Sequence, residues 1–248
     1  MLPKQFKPSA TYDLIRLGRN HDGGYLVDPA SVSMANQLLS FGLATDWSFE
    51  KDFLEKNNVP LSAYDGTIAP KIIVRKILKN LMRLKFFRFF RSGYALIDYY
   101  SFFSESRVHY RLNIGYDSRK SISLGSIVQK ENLKTPIFIK MDIEGSEYRV
   151  LNDLLKHSSS IAGFVVEFHD VDLHREKILN FINEFPLTLV HIHENNCDRQ
   201  LVDPNGDPIT LELSFSKCPT KISPQPSIPH PLDQKNCQRQ KSLQLKFE

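Results

Sequence analysis

The stretch Ile137-Phe-Ile-Lys-Met-Asp-Ile-Glu-Gly-Ser-Glu-Tyr-Arg-Val-Leu151 decides how the rest of the chain is read. Ile137 to Met141, entered just after Pro136, is an apolar, β-branched run of the kind that parallel sheets bury on both faces. Asp142, Glu144 and Glu147 then crowd around Gly145, and Tyr148, Val150, Leu151, Leu154 and Leu155 take up helical spacing. The acids therefore sit where a central strand hands over to a helix, at the carboxyl edge of an open α/β sheet, where such sheets bind ligands. Acids in the first turn of a helix also suit its macrodipole, which accounts for Glu144 and Glu147 without any function. Asp142 is different, because a carboxylate ending an apolar strand must find a partner or stay hydrated.

Within this stretch, Lys140-Met-Asp-Ile-Glu-Gly-Ser-Glu147 closely resembles the Lys-Ile-Asp-Ile-Glu-Gly-Ala-Glu signature of the FkbM-type S-adenosylmethionine-dependent methyltransferases, departing from it only at Met141 and Ser146. The resemblance extends over about residues 12–247 and is weaker across 71–119. It implies a Rossmann-like α/β fold, with a mainly parallel seven-stranded sheet flanked by helices. It also implies S-adenosyl-L-methionine as cofactor and methylation, as in many members, of a sugar hydroxyl on a glycan or secondary metabolite.

Outward from the centre, Gln37 to Phe41 reads as a short strand, followed by a single-glycine turn and a helix over about Phe49–Lys56. One glycine does not make the Gly-x-Gly-x-x-Gly that a pyrophosphate needs, whereas a cofactor without phosphate does not require it. The Ser40 to Glu50 pattern, Ser-Phe-Gly-x-x-x-Asp-x-Ser-Phe-Glu, is similar to the first motif of the same subgroup. By that resemblance the backbone of Phe41, Gly42 and Leu43 borders the methionine moiety and Asp46 lies near the ligand; a helix cap is the other reading of Asp46. About twenty residues on, Leu61-Ser-Ala-Tyr-Asp65-Gly66 reads as the second strand ending in an acid that can accept both ribose hydroxyls, although Asp-Gly is also a common turn pair. With Asp142, these residues form the expected cofactor set.

Further strands are expected over Arg107–Gly115, Ile161–His169, Leu187–Asn196 and Ile209–Ser216, with a helix over His174–Phe185. Three strand ends offer acids or histidines: Asp142 with Glu144, Glu167 with His169, and His191 with His193. Residues two apart in a strand share a face, so His191 and His193 point the same way. Methylating a hydroxyl requires removal of its proton. His169 is the first candidate base, Glu167 its orienting partner or a substrate ligand, and Asp142 the alternative base. Glu144, His191, His193 and Asn195 are candidate substrate contacts, and the histidines are equally consistent with satisfied strand residues. Histidines beside acids make a divalent metal conceivable, but no tight ligand spacing such as His-Glu-x-x-His is present, and none is predicted.

The chain divides into an N-terminal segment, 1–36, a methyltransferase domain, 37–216, carrying an insertion at about 71–106, and a proline-rich extension, 217–248, that wraps the domain. Asp22-Gly-Gly24 in the first segment reads as a turn, and Asp22-Gly-Gly-Tyr25 has a counterpart in the resembled subgroup. The insertion holds a segment, Lys71 to Arg91, with eight Lys or Arg and no acid, interleaved with Ile73, Ile77, Leu81 and Leu84 and followed by phenylalanines. It suits a solvated lid helix, or contact with an anionic membrane surface, glycan or lipid-linked substrate; nucleic acid is the less favoured partner. At 248 residues, 41% hydrophobic and 24% charged, the chain suits one globular domain with a substantial core. It shows no signal-peptide pattern, and three cysteines, odd in number and widely spaced with no Cys-x-x-Cys pair, suggest reduced thiols, so a cytoplasmic location is expected. A different nucleotide-dependent α/β protein, or a binding module that has lost catalysis and grips an anionic partner through the basic segment, are the alternatives.

Overall fold

A computed structural model describes residues 1–68, 74–75, 78–79, 86–197 and 202–248. In chain order the elements are β1 (Thr11–Tyr12), β2 (Ile15–Leu17), β3 (Tyr25–Val27), α1 (Pro29–Met34), β4 (Gln37–Phe41), α2 (Ser48–Lys56), β5 (Leu61–Tyr64), α3 (Phe86–Phe102), β6 (Arg107–Tyr110) and β7 (Asn113–Ile114). Then come β8 (Ser121–Ile122), α4 (Leu124–Lys130), β9 (Ile137–Met141), α5 (Leu151–Lys156), β10 (Ile161–Phe168), α6 (Val171–Glu184), β11 (Thr188–Glu194), β12 (Leu211–Ser216) and β13 (Lys221–Ser223).

Seven strands form one sheet in the order β11-β12-β10-β9-β4-β5-β6. The pairs from β10 to β6 are parallel, and β12 alone runs against its neighbours on both sides. This is the mainly parallel seven-stranded sheet expected of the Rossmann-like methyltransferase fold. Every residue of β4, β5, β9, β10 and β12 is buried. Alternate side chains feed two cores. Leu38, Phe138 and Val165 pack with Val32, Phe53 and Tyr99 on one face, and Leu39, Ile139 and Phe164 pack with Leu124, Leu154 and Phe181 on the other.

Several boundaries differ from the sequence reading. The expected strand over Arg107–Gly115 is broken into β6 and β7, and the helix after the central motif begins with a 3-10 turn at Glu147–Arg149. Helix α6 starts at Val171, three residues before His174. Of the basic stretch Lys71–Arg91, only 74–75, 78–79 and 86–91 fall within the described residues, and its expected long amphipathic helix lies otherwise outside them.

The two ends of the chain brace the sheet. Strands β2 and β3 pair as a hairpin, β3 lies against β10, β11 and β12, and β1 pairs with β13. Leu2 bridges to Phe247, near the other end of the chain.

Candidate active site

The carboxyl ends of β4 and β9 meet across Gly42. The Gly42 amide donates to the Tyr64 carbonyl, and the Asp142 amide donates to the Phe41 carbonyl. Gly42 has φ +83°, and a Cβ there would lie 1.6 Å from the Asp142 carbonyl oxygen. Only glycine allows the two strand tips to close this far. Lys140, buried in β9, donates through Nζ to the Gly42 carbonyl and has that Nζ 3.9 Å from Asp142 Oδ2, so a lysine in an otherwise apolar strand ties both tips together.

Beside these tips lies a cavity of about 550 Å³, lined by Gly42, Asp65, Thr67, Asn113, Asp142 and Glu144 among others. Asp65 borders it but has no free oxygen. Oδ2 accepts from the backbone amides of Leu43 and Ala44, both at 2.9 Å, and Oδ1 accepts from the Thr67 amide and hydroxyl, both at 2.6 Å. Burial works against its charge, but these donors outweigh that and hold its pKa below the ordinary value. In place of the free ribose-binding carboxylate expected from the sequence, Asp65 is the clasp of the glycine loop. The same bonds occupy the loop amides that would otherwise receive a phosphate, so the crevice suits a nucleoside ligand without one.

The other expected cofactor residues divide. Gly66 donates its amide to Asn113 Oδ1, which fixes the far wall. Phe41 and Leu43 are buried and are not among the residues that line the cavity. Asp46 accepts from the Ser48 amide in a turn just ahead of α2 and pairs with Arg19 Nε at 2.8 Å, a tie to the N-terminal segment; the cap position itself is held by Trp47, whose side chain makes no capping bond.

Around Asp142 and Glu144, which line the cavity, the structure gathers Glu167 and His169 from the neighbouring strand end, and adds Tyr25 and Glu147. The Tyr25 hydroxyl lies 3.2 Å from Asp142 Oδ2 and 3.3 Å from Glu167 Oε2. Glu147 is fully buried, and its Oε1 accepts from the Ile143 and Gly145 amides and lies 3.2 Å from His169 Nδ1. The acid at the helix start is therefore the post that shapes the turn carrying Asp142 and Glu144. The opposite ring nitrogen of His169 lies 3.4 Å from Glu167 and 3.7 Å from Glu144, whose side chain is 84% exposed at the lip.

Charge is unevenly balanced here. Burial works to lower the His169 pKa, but its contacts with Glu147 and Glu167 prevail and raise it to about 11. Burial and repulsion from Asp142 push Glu167 up to about 8. A histidine that retains its proton at neutral pH is a poor base, which argues against the leading role that the sequence reading gave to His169. Asp142, Glu144 and His169 each offer a ligand atom within 4.8 Å of the others, and these are the residues that could hold a divalent ion.

His191, His193 and Asn195 are brought elsewhere. All three are buried, at 4%, 6% and 3% exposure, the two histidines beneath the C-terminal extension and Asn195 behind Glu167. His191 Nε2 pairs with Asp233 at 2.8 Å, His193 Nε2 with Asn236 Oδ1 at 3.1 Å, and Asn236 bonds Glu212 in turn. Asn195 donates to Glu167 at 3.0 Å and to Asp22 at 3.3 Å. These groups brace the site from behind and offer nothing to a substrate, which corrects their assignment as contacts. The sequence reading gave no role to Tyr25, Lys140, Glu212 or Asp233; only Tyr25, in Asp22-Gly-Gly-Tyr25, and Lys140, within the central motif, carried any signal.

No curated protein matches the chain. Among solved structures, it is similar to a Thermoplasma acidophilum protein described as a candidate methyltransferase, at 11% identity and a TM-score of 0.32, over 75% of this chain and 68% of that one. The family model of the methyltransferase FkbM domain matches residues 92–197, the span that holds β6, the central motif and the Glu167–His169 strand end. The matched span includes the Lys140–Glu147 motif, on which the sequence already resembles that family.

Proposed function

We propose that this chain is a methyltransferase that uses S-adenosyl-L-methionine to methylate a hydroxyl oxygen of a glycan or other polyhydroxylated small molecule. The observation that carries the reading is the cavity between Gly42, Asp65 and Asp142, with its loop amides already claimed by Asp65 and a carboxylate cluster beside it. When bound, the cofactor supplies an electrophilic methyl group on a sulfonium. The chain must then position the acceptor hydroxyl in line and take its proton.

Asp142 is the proton acceptor in this scheme, because it lines the cavity and its Oδ2 is tied only to Tyr25 and, at longer range, Lys140. The Tyr25 hydroxyl links Asp142 to Glu167, whose raised pKa of about 8 suits a group that stores a proton near neutrality. His169, charged, offsets the surrounding carboxylates and holds Glu167 in place. Glu144, at the exposed lip, contacts the acceptor. Gly42, Gly66 and Asn113 shape the cofactor wall, and Asp65 positions the loop. The catalytic unit is 37–216, with 1–36 and 217–248 as its braces.

Calorimetric titration with S-adenosylhomocysteine tests the cofactor assignment, and saturable binding at one site per chain is expected. Absence of binding, together with tight binding of NAD, would replace this reading with that of another nucleotide-dependent enzyme. Mass spectrometry of sugar acceptors after incubation with labelled cofactor tests the acceptor class; label on nitrogen would exclude the hydroxyl.

A further inference from the structure

Helix α3 is apolar on two opposite sides. Tyr99 and Phe102 are buried in the core beside β5. On the other side Tyr94 is 71% exposed, Ile97 70% and Tyr100 60%, at the spacing that puts them within one broad face, and Phe90 extends that face by a further turn at 69%. Upstream, Val74 and Leu78 are also exposed, beside exposed Arg75 and Lys79. Six of the thirteen large hydrophobic side chains exposed among the described residues thus fall between 74 and 100. Water-exposed apolar groups scattered singly need no explanation, but four on one face of one helix do.

The charge of the same stretch identifies what covers it. Lys71 to Arg91 carries eight Lys or Arg and no Asp or Glu, double the net charge of +4 of the whole chain. We propose that the exposed face of α3, together with Arg75 and Lys79, is a peripheral membrane-docking surface that lays Tyr94, Ile97 and Tyr100 into the interface of a bilayer containing anionic lipids. Aromatic and aliphatic side chains beside a dense cationic segment match the two attractions such an interface offers, apolar burial and phosphate charge. A second copy of this chain fits less well, because it carries the same unbalanced positive charge and offers it no anion. Nucleic acid would satisfy the charge but leave Ile97 and Leu78 in water.

The inference goes beyond the transfer reaction and is read out without it. The full chain is sedimented with vesicles of phosphatidylcholine alone and of phosphatidylcholine with phosphatidylserine. Binding to the anionic vesicles, roughly tenfold or more above the neutral ones and weakened by added salt, is expected. The triple variant Tyr94→Ser, Ile97→Ser, Tyr100→Ser alters only exposed positions and should retain the melting temperature and S-adenosylhomocysteine affinity of the parent while losing roughly tenfold in vesicle affinity. Arg75→Glu with Lys79→Glu should weaken binding to anionic vesicles alone. Absence of vesicle binding, vesicle binding unchanged in the triple variant, tighter binding to single-stranded DNA than to anionic vesicles, or self-association abolished by the triple variant without vesicle binding would each overturn the proposal. If S-adenosylhomocysteine fails to bind while vesicles do, the cofactor reading falls and this surface stands.

Discussion

The sheet carries two clusters of acids and histidines at strand ends, and only one of them faces a ligand space. Asp142, Glu144, Glu167 and His169 gather at the tips of β9 and β10, beside a cavity. His191, His193 and Glu212 gather on β11 and β12, beneath Asp233 and Asn236 of the C-terminal extension. The residue types are nearly the same. What separates the clusters is their cover: the second has every imidazole engaged with the extension, whereas the first keeps Asp142 on the cavity wall and Glu144 in water. A histidine beside an acid therefore indicates a site only where the fold leaves space in front of it.

Substitutions can break this contrast, and the largest effect is expected at the strand tips. Gly42→Val should cost about 3 kcal/mol or more in chemical denaturation, because its Cβ has no space before the Asp142 carbonyl. A soluble, equally stable variant would show that the tips can separate freely. Asp142→Asn should lower turnover roughly 100-fold or more while leaving S-adenosylhomocysteine affinity within a few-fold; full turnover would return the base role to another group.

On the sealed side, Asp233→Asn should destabilise the fold by about 2 kcal/mol, as expected for losing charge-assisted bonds to His191, without altering cofactor affinity. A turnover defect at full stability would mean that this cluster takes part in chemistry after all. Asp65→Asn is a smaller perturbation of the open side, because the amide can keep only one oxygen in the clasp. Roughly fivefold to tenfold weaker S-adenosylhomocysteine binding is expected by calorimetry. Unchanged affinity would remove the loop from cofactor recognition.

The smallest effect is in pH. Glu167 has a folded pKa raised to about 8, so between its unfolded value near 4.5 and 8 the native state holds a proton that the unfolded chain has lost. His169, raised to about 11, stabilises the fold fully below its unfolded value near 6.5 and loses that contribution as pH rises toward 11. Both groups make stability fall as pH rises. Thermal melts should drop from pH 6 to pH 9, and Glu167→Gln should flatten the slope over that range. A melting temperature that rises with pH would contradict the charge balance described for the cluster.

Much of this was legible in the chain. Buried runs ending in acids at Asp65 and Asp142, and Glu167-Phe-His169 closing a third run, located the carboxyl edge, because the two-residue period of strands and the switch to helical spacing are local properties. The strand break between β6 and β7 and the 3-10 turn after the central motif were not legible, since both are settled by loop bonds such as those from Glu147 to the Ile143 and Gly145 amides. The histidines of β11 could not be judged either. Their partners, Asp233 and Asn236, lie some forty residues away in sequence, in a segment with no pattern of its own.

The sequence by itself determined the α/β class, the order of strands and helices, the central motif and the glycine at position 42, because each is written in local spacing or in a residue type that its backbone demands. Tertiary structure decided the roles. Asp65 became a clasp once two loop amides were folded onto it, His169 retained its proton once Glu147 and Glu167 closed around it, and His191 and His193 were shut away by the chain's own end. The physical reason is common to all three: an ionisable side chain takes its function from which groups lie within a few ångströms and how much water remains, and folding sets both from residues far apart in the chain.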